Sequence, residues 1–228
     1  MNQIVTKGIV LSRTEFGEAD RIITVLTIDH GKIRLIAKGV RRIKSKSAGG
    51  IELFSVSDIT YIPGRGEIGT LISARLINHY SSIVHDIDRT MYGYEVLKNI
   101  NKVTEDLAGE EYFNLLNTAL AAINDSSIRL ECIRLWFGLR LLNTTGHSPN
   151  LHTDRSGENL VAGVKYDFNS EDMTFAVSGN YNSDHIKLLR LAISLNTPKA
   201  LSSVKDIDLV LPDCLFLVQS MVAQHIRI

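Results

Sequence analysis

Two cysteines, four prolines and one tryptophan in 228 residues leave little for several common architectures. Cys132 and Cys214 cannot build a disulfide framework or a four-cysteine zinc site, and both lie in apolar helical patterns, "LECIRLWF" and "LPDCLFLV", that read as core. No stretch approaches the roughly eighteen apolar residues of a membrane span. The opening "MNQIVTKGIVLSRTEFGEADR" is broken by charge too often for a signal peptide, so a cytoplasmic location is expected. Low-complexity tracts and internal repeats are missing as well, which leaves one or two ordinary globular domains.

Catalytic signatures are equally scarce. There is no P-loop, no nucleotide-binding G-x-G-x-x-G, no H-E-x-x-H and no G-x-S-x-G. His147, His152 and Asp154 lie close together, but without a cysteine they match structural-zinc spacing poorly, and no metal is expected there. Glu15, Glu18 and Asp20 crowd into "EFGEAD", where Arg13 and Arg21 offer simple pairing. No acid/base pair emerges, and neither an enzyme nor a cofactor is expected.

Charge of one sign is missing locally rather than overall. The formal net charge is zero, yet Lys32, Arg34, Lys38, Arg41, Arg42, Lys44 and Lys46 follow one another without a single acid between them. Residues 1–50 hold ten Lys/Arg against four acids, a net of +6, so the rest of the chain must sum to −6. Such a positive lobe draws polyanions to one end of a neutral molecule.

The surroundings of this run are strand-like. "QIVTKGIVLS", "RIITVLTI", "KIRLIAKGV", "ELFSVSDITYI" and "GTLISARLIN" are short, rich in Val, Ile, Leu and Thr, and separated by turn residues such as "FGEAD", "DHG" and "PGRG". Five short strands within about eighty residues predict a small closed barrel such as the OB-fold, whose face and loops often bind oligonucleotides. The basic run then occupies a strand end and the loop after it, closed by Gly49 and Gly50.

Beyond residue 80 the apolar period changes to that of helices. Ile83, Ile87, Met91, Tyr94, Leu97 and Ile100 mark one helix face, and "EEYFNLLNTALAAI" and "SIRLECIRLWFGLRLL" continue as amphipathic core helices. The third is predicted to start at a Ser126/Ser127 cap and stop before Gly146. "SDHIKLLRLAISL" and "LPDCLFLVQSMVAQHI" add two more, with Pro212 suited to a first helical turn. Trp136 reads as a packing residue. Residues 147–182 are polar and irregular, with a short hairpin expected between "LVAGVKYDF" and "MTFAVSG". The class is therefore α+β: a barrel domain over 1–80 and an all-α domain over 81–228 that carries the insertion.

Four motifs, F-G-E-x-D-R at 16–21, H-G-K at 30–32, A-K-G-x-R-R at 37–42 and G-R-G at 64–66, together closely resemble the N-terminal domain of the bacterial RecO DNA-repair proteins. The helices that follow fall in the order expected of that family. Many members carry two C-x-x-C zinc pairs after a G-x-x-P-x-L segment, here Gly146, Pro149 and Leu151. This chain instead reads "HTDRSG" and "FAVSGN", with Val177 and Asn180 at the second pair, so a zinc-less variant with a degenerate zinc-finger-like insertion is expected. Val164, Phe168, Phe175 and Val177 are expected to supply a small apolar core in the metal's place.

The resemblance implies a non-enzymatic recombination mediator. Such a protein binds single- and double-stranded DNA, anneals complementary strands, contacts the SSB tail and works with RecR to load RecA, in the cytoplasm and associated with the nucleoid rather than a membrane. Lys38, Arg41, Arg42, Lys44 and Lys46 are the leading phosphate-contact candidates, followed by Arg13, Arg21, Lys32, Arg34 and Arg65, whose strand alternation sends some of them to different faces. The SSB tail implies an apolar pocket with a basic rim, for which Arg129, Arg134, Arg140, Lys187 and Arg190 are the available cations. Two other readings stay open on the residues alone: an OB-fold RNA-binding protein, and an adaptor that docks a protein partner through the basic loop.

Overall fold

β-Branched alternation resolves into five strands in the computed structural model, which describes residues 2–42, 47–104 and 109–226. They are β1 (Ile4–Phe16), β2 (Asp20–Thr27), β3 (Lys32–Ala37), β4 (Ser55–Ile62) and β5 (Ile68–His79). Their order, β1-β2-β3-β5-β4, closes into a barrel because β1 pairs with β2 through residues 8–16 and with β4 through residues 4–9. A register break between Val10 and Ser12 bends β1 so that one strand can serve two neighbours. All pairings are antiparallel except that of β3 with β5. This is the OB-fold arrangement that the sequence predicts, and the inward alternation of Val10, Ile23, Val25, Leu35, Ile59 and Leu71 fills it. Gly50 lies where a Cβ would strike the backbone of Ala74, so the turn after the basic loop can rest directly on β5.

The chain divides into two compact units, Met1–Asn124 and Asp125–Ile228. The period change at residue 80 falls inside the first, which holds the barrel together with α1 (Ile87–Val103) and α2 (Glu110–Asn124). Asp86 caps α1 by accepting from Arg89 N at 2.9 Å. The buried face of α1 is not the expected one: Tyr92, Gly93, Val96, Leu97 and Ile100 are buried, whereas Ile87, Met91 and Tyr94 are 79%, 64% and 48% exposed. Gly93 supplies the reason. A Cβ there would lie 2.9 Å from the Phe54 ring, so the helix presses its glycine against that ring and turns part of the apolar stripe outward.

In the second unit, α3 (Leu130–Thr144), α4 (Ser183–Ser194) and α5 (Leu211–His225) surround a core of their own. α3 is buried almost all round, and the indole of Trp136 donates to Leu195 O at 2.9 Å, as a packing tryptophan should. The predicted serine cap lies too early. Asp125 Oδ1 accepts from Ser127 N and Oγ in a turn, and the helix begins at Leu130. Pro212 does occupy the first turn of α5. Between α3 and α4, β6 (Tyr166–Asn169) and β7 (Thr174–Val177) form the expected hairpin. Among the described residues, no helix is long and apolar enough to cross a membrane.

Both cysteines are fully buried. Burial pushes the Cys132 thiol up, and burial with the neighbouring Asp213 charge pushes Cys214 up to about 12. The folded state therefore favours the protonated thiol. Below roughly pH 8.5, the ordinary thiol value, its contribution is complete; it is lost as pH rises toward the folded value, where only the unfolded chain ionises. The native protein should leave both thiols unmodified by Ellman's reagent at pH 8, and urea should release both. Between pH 7.5 and 9.5 the wild type should lose more urea resistance than Cys214→Ala; equal losses would contradict the assignment.

Candidate nucleic-acid interface

The two longest sequence motifs prove to be halves of one clasp. Asp20 Oδ1 accepts from Gly39 N at 2.7 Å, where Gly39 takes φ 64°, a conformation glycine adopts without strain. Arg41 N donates to Ala19 O at 3.0 Å, and its guanidinium reaches Glu18 O at 3.2 Å and the Glu15 carboxylate at 3.5 Å. The β1–β2 turn thus holds the root of the basic loop. The expected pairing of its acids changes accordingly: Glu15 takes Arg41, Asp20 takes a backbone amide, and Arg13 bonds Glu52 at 2.7 Å.

The ten candidate cations sort into groups. Lys38, Arg42 and Arg65 are exposed, and among the described residues they form no ion pair. Arg34 is half-exposed and 3.8 Å from the outlying Glu67 carboxylate. Lys32 is directed elsewhere: its Nζ donates to Asn101 O at 2.9 Å, at the carbonyl end of α1 where a cation is favoured. Arg13 lies opposite Ile23 and Arg21 opposite Ala37, on the side of the sheet that carries the core, whereas Lys32 and Arg34 alternate to the other side. Arg21, half-buried there, makes no ion pair among the described residues. Lys44 and Lys46 lie outside the described residues.

Beside Arg34 a cavity of about 260 Å³ opens between the β2–β3 and β4–β5 turns, lined by His30, Arg34, Tyr61, Gly66, Glu67 and Gly69. Residues 64–69, "GRGEIG", spell a G-x-G-x-x-G. The turn joins two strands instead of a strand and a helix, so it lacks the helix N-terminus on which pyrophosphate binding depends. A search of strand-to-strand turns for glycines would have pointed to this cavity.

In the second unit, Arg129 is held by Asp208 at 2.7 Å, Arg140 donates to Ile193 O at 3.3 Å and Arg190 to Leu151 O at 2.8 Å. Arg134 also has a partner. Lys187 differs. Together with Lys205 it borders a cavity of about 410 Å³ lined by Leu188, Leu191, Val204 and Leu209, while holding Asp184 at 2.9 Å and its carboxyl below the usual range.

The insertion does not fit a zinc ion. Asp154 spends its carboxylate on Ser156 N at 2.8 Å and Glu158 N at 3.0 Å, and the His147 ring packs against His225 with centroids 5.2 Å apart. Among the described residues no three His, Cys, Asp or Glu side chains are placed to share a metal. Phe175 is fully buried at the centre of Tyr166, Phe168 and Tyr181, with ring centroids at 6.2, 4.9 and 6.1 Å. Val177, expected in this core, shares the face of Phe175 by alternation, yet it is the last residue of β7 and is 63% exposed there. Burying one phenylalanine among aromatics supplies cohesion of the kind a metal site provides. EDTA should therefore leave the melting temperature unchanged, and Phe175→Ala should destabilise the second unit by about 3–5 kcal/mol in denaturant titration; a chelator-dependent melt would refute this account.

Residues 1–80 match the family described as Recombination protein O N terminal. The chain is 34% identical over 149 residues to the DNA repair protein RecO of Alkaliphilus metalliredigens, covering 65% of this chain and 60% of that protein. It is 37% identical over 150 residues to the RecO of Bifidobacterium longum subsp. infantis, with 64% and 62% covered, so the match spans about three fifths of the length of either relative. A RecO of Dehalococcoides mccartyi aligns over 205 residues at 28% identity, covering 88% of this chain and 78% of the relative. The barrel is thus matched from end to end by the RecO N-terminal family, and an alignment of 205 residues necessarily carries the similarity to a RecO protein past Asn124.

Proposed function

We propose that this protein is a DNA-repair mediator that binds DNA through the barrel and the loop after β3, anneals complementary strands and helps to load RecA onto SSB-coated DNA with RecR. The observation that carries the reading is the set of exposed cations, Lys38, Arg42 and Arg65 with the loosely held Arg34, on a single closed OB-fold barrel. The relatives named DNA repair proteins support it.

Annealing requires a surface that lowers repulsion between two strands and leaves base edges free. Residues 38–46 contain no aromatic side chain, and backbone charge alone then supplies affinity without sequence preference. Five phosphate contacts from Lys38, Arg41, Arg42, Lys44 and Lys46 correspond to a log-log salt slope of about −4.5 on duplex. Arg41 must exchange Glu15 for phosphate, so it contributes less than its neighbours. For the SSB tail, acidic and apolar-ended, we propose the cavity beside Lys187 and Lys205, whose leucines would take the apolar end while the two lysines, set among Asp184 and Asp206, meet its acids.

Annealing of two oligonucleotides, bare and SSB-coated, should be measured across a salt series. Lys38→Ala/Arg42→Ala/Arg65→Ala is expected to anneal poorly, with the duplex salt slope reduced by about 1.8 through Lys38 and Arg42, and by about 0.9 more through Arg65 where it adds a sixth contact. Wild-type protein that binds no DNA at low salt would leave the basic loop as a protein-docking element, and preference for structured RNA would favour the RNA-binding reading. For the partner site, Lys187→Glu/Lys205→Glu should abolish binding of an SSB-tail peptide in calorimetry while leaving oligonucleotide binding intact; undiminished peptide binding removes the cavity from the reading.

A further inference from the structure

One glycine of the β4–β5 turn is not required by the fold. A Cβ on Gly64 would strike the Ile68 carbonyl, and one on Gly69 would lie 2.8 Å from Ile62 O and 3.0 Å from Leu35 Cδ2. Gly66 has no heavy atom within 4 Å of such a Cβ, and its φ is not in the left-handed region. Any residue would fit there, yet the missing side chain leaves the 260 Å³ cavity beside Arg34 open.

We propose that this cavity is a subsite for one unpaired nucleotide of single-stranded DNA, whose base enters beside Tyr61 and His30 while Arg34 holds its phosphate. The proposal rests on the DNA-binding reading above and adds a strand preference to it. Size supports a base more than a lone anion: at about 30 Å³ per water, the space is several times what one small ion needs, and it falls just short of the roughly 300–1,000 Å³ of drug-sized sites. The lining joins apolar and aromatic surface from Ile33, Leu35, Tyr61 and Pro63 to a cation at the mouth. Burial, with the Asp29 charge second, raises the Tyr61 phenol, which keeps its hydroxyl neutral and able to donate.

Arg34 is available for a phosphate because its present partner is weak. Glu67 is 87% exposed and 3.8 Å away, a geometry in which an ion pair contributes little. Phosphate approaching Arg34 displaces this carboxylate, and Glu67 acts as a competitor at the mouth. A duplex gains nothing from the cavity, since a paired base must first leave its stack. One base held in a strand otherwise bound by its phosphates favours single strands and leaves the neighbouring bases free to pair.

Fluorescence anisotropy at one salt concentration tests this with the full chain and three ligands: oligothymidylate, an abasic deoxyribose-phosphate oligomer of equal length, and a duplex. Wild type should bind oligothymidylate about 5-fold or more tighter than the abasic strand. Gly66→Phe should lower oligothymidylate affinity to the abasic level and keep duplex affinity, which also reports that the variant is folded. Glu67→Gln, at an exposed position, should tighten oligothymidylate binding about two- to five-fold. Equal wild-type affinity for the thymidylate and abasic strands overturns the subsite, as does a Gly66→Phe protein that keeps the wild-type ratio. Wild type that binds none of the three ligands removes the DNA-binding reading and this one with it.

Discussion

Three residue pairs close the barrel. Arg34, Leu35 and Ile36 of β3 run parallel to Ile68, Gly69 and Thr70 of β5, and without that ladder β3 and β5 would each present a row of unpaired backbone groups. Closure also sets the chemistry of the surface, because it carries the β4–β5 turn to the flank of β3 and places Glu67 opposite Arg34. Gly69, in the middle of the ladder, accommodates the approach of Leu35 and the Ile62 carbonyl. A β3 that continued its pairing along the whole of β5 would leave no room for the cavity beside it.

Charge counted along the sequence overstates what the surface offers. Of the described cations in the first fifty residues, Arg13 is taken by Glu52, Arg41 by Glu15 and the backbone at Glu18, and Lys32 by the end of α1. These contacts turn arginines into braces for loops and leave Lys38 and Arg42 beside the basic run with no acid of their own among the described residues. The acids of "EFGEAD" thereby have a constructive role, and it lies in holding a loop rather than in neutralising neighbours along the strand.

The strands were legible because alternation and turn residues are local signals, and each of the five expected segments overlaps an observed strand. The clasp between Asp20 and Gly39 was not legible, since nothing in either motif announces a partner nineteen residues away. Arg13 and Glu52 present the same problem across thirty-nine residues. On α1 the apolar spacing was real but ambiguous: two adjacent stripes share Leu97 and Ile100, and the choice between them fell to Gly93, whose meaning depends on a ring from the barrel. In the insertion, the composition indicated an apolar replacement for zinc, but alternation gives Phe175 and Val177 the same face, and only the point at which β7 ends leaves the second of them exposed.

The attachment of α1 and α2 has a consequence for how the barrel breathes. Lys32 donates to Asn101 O, the Tyr80 hydroxyl to Asn117 at 2.7 Å, and Gly93 rests on Phe54, so barrel and helices share hydrogen bonds and core within one compact unit. Amides in such a unit exchange with solvent through common openings, each of which breaks contacts in both parts. A ligand that binds only the closed barrel makes those openings rarer everywhere in the unit. Deuterium uptake in α1, a helix that presents none of the candidate cations, therefore becomes a gauge of occupancy on the strands.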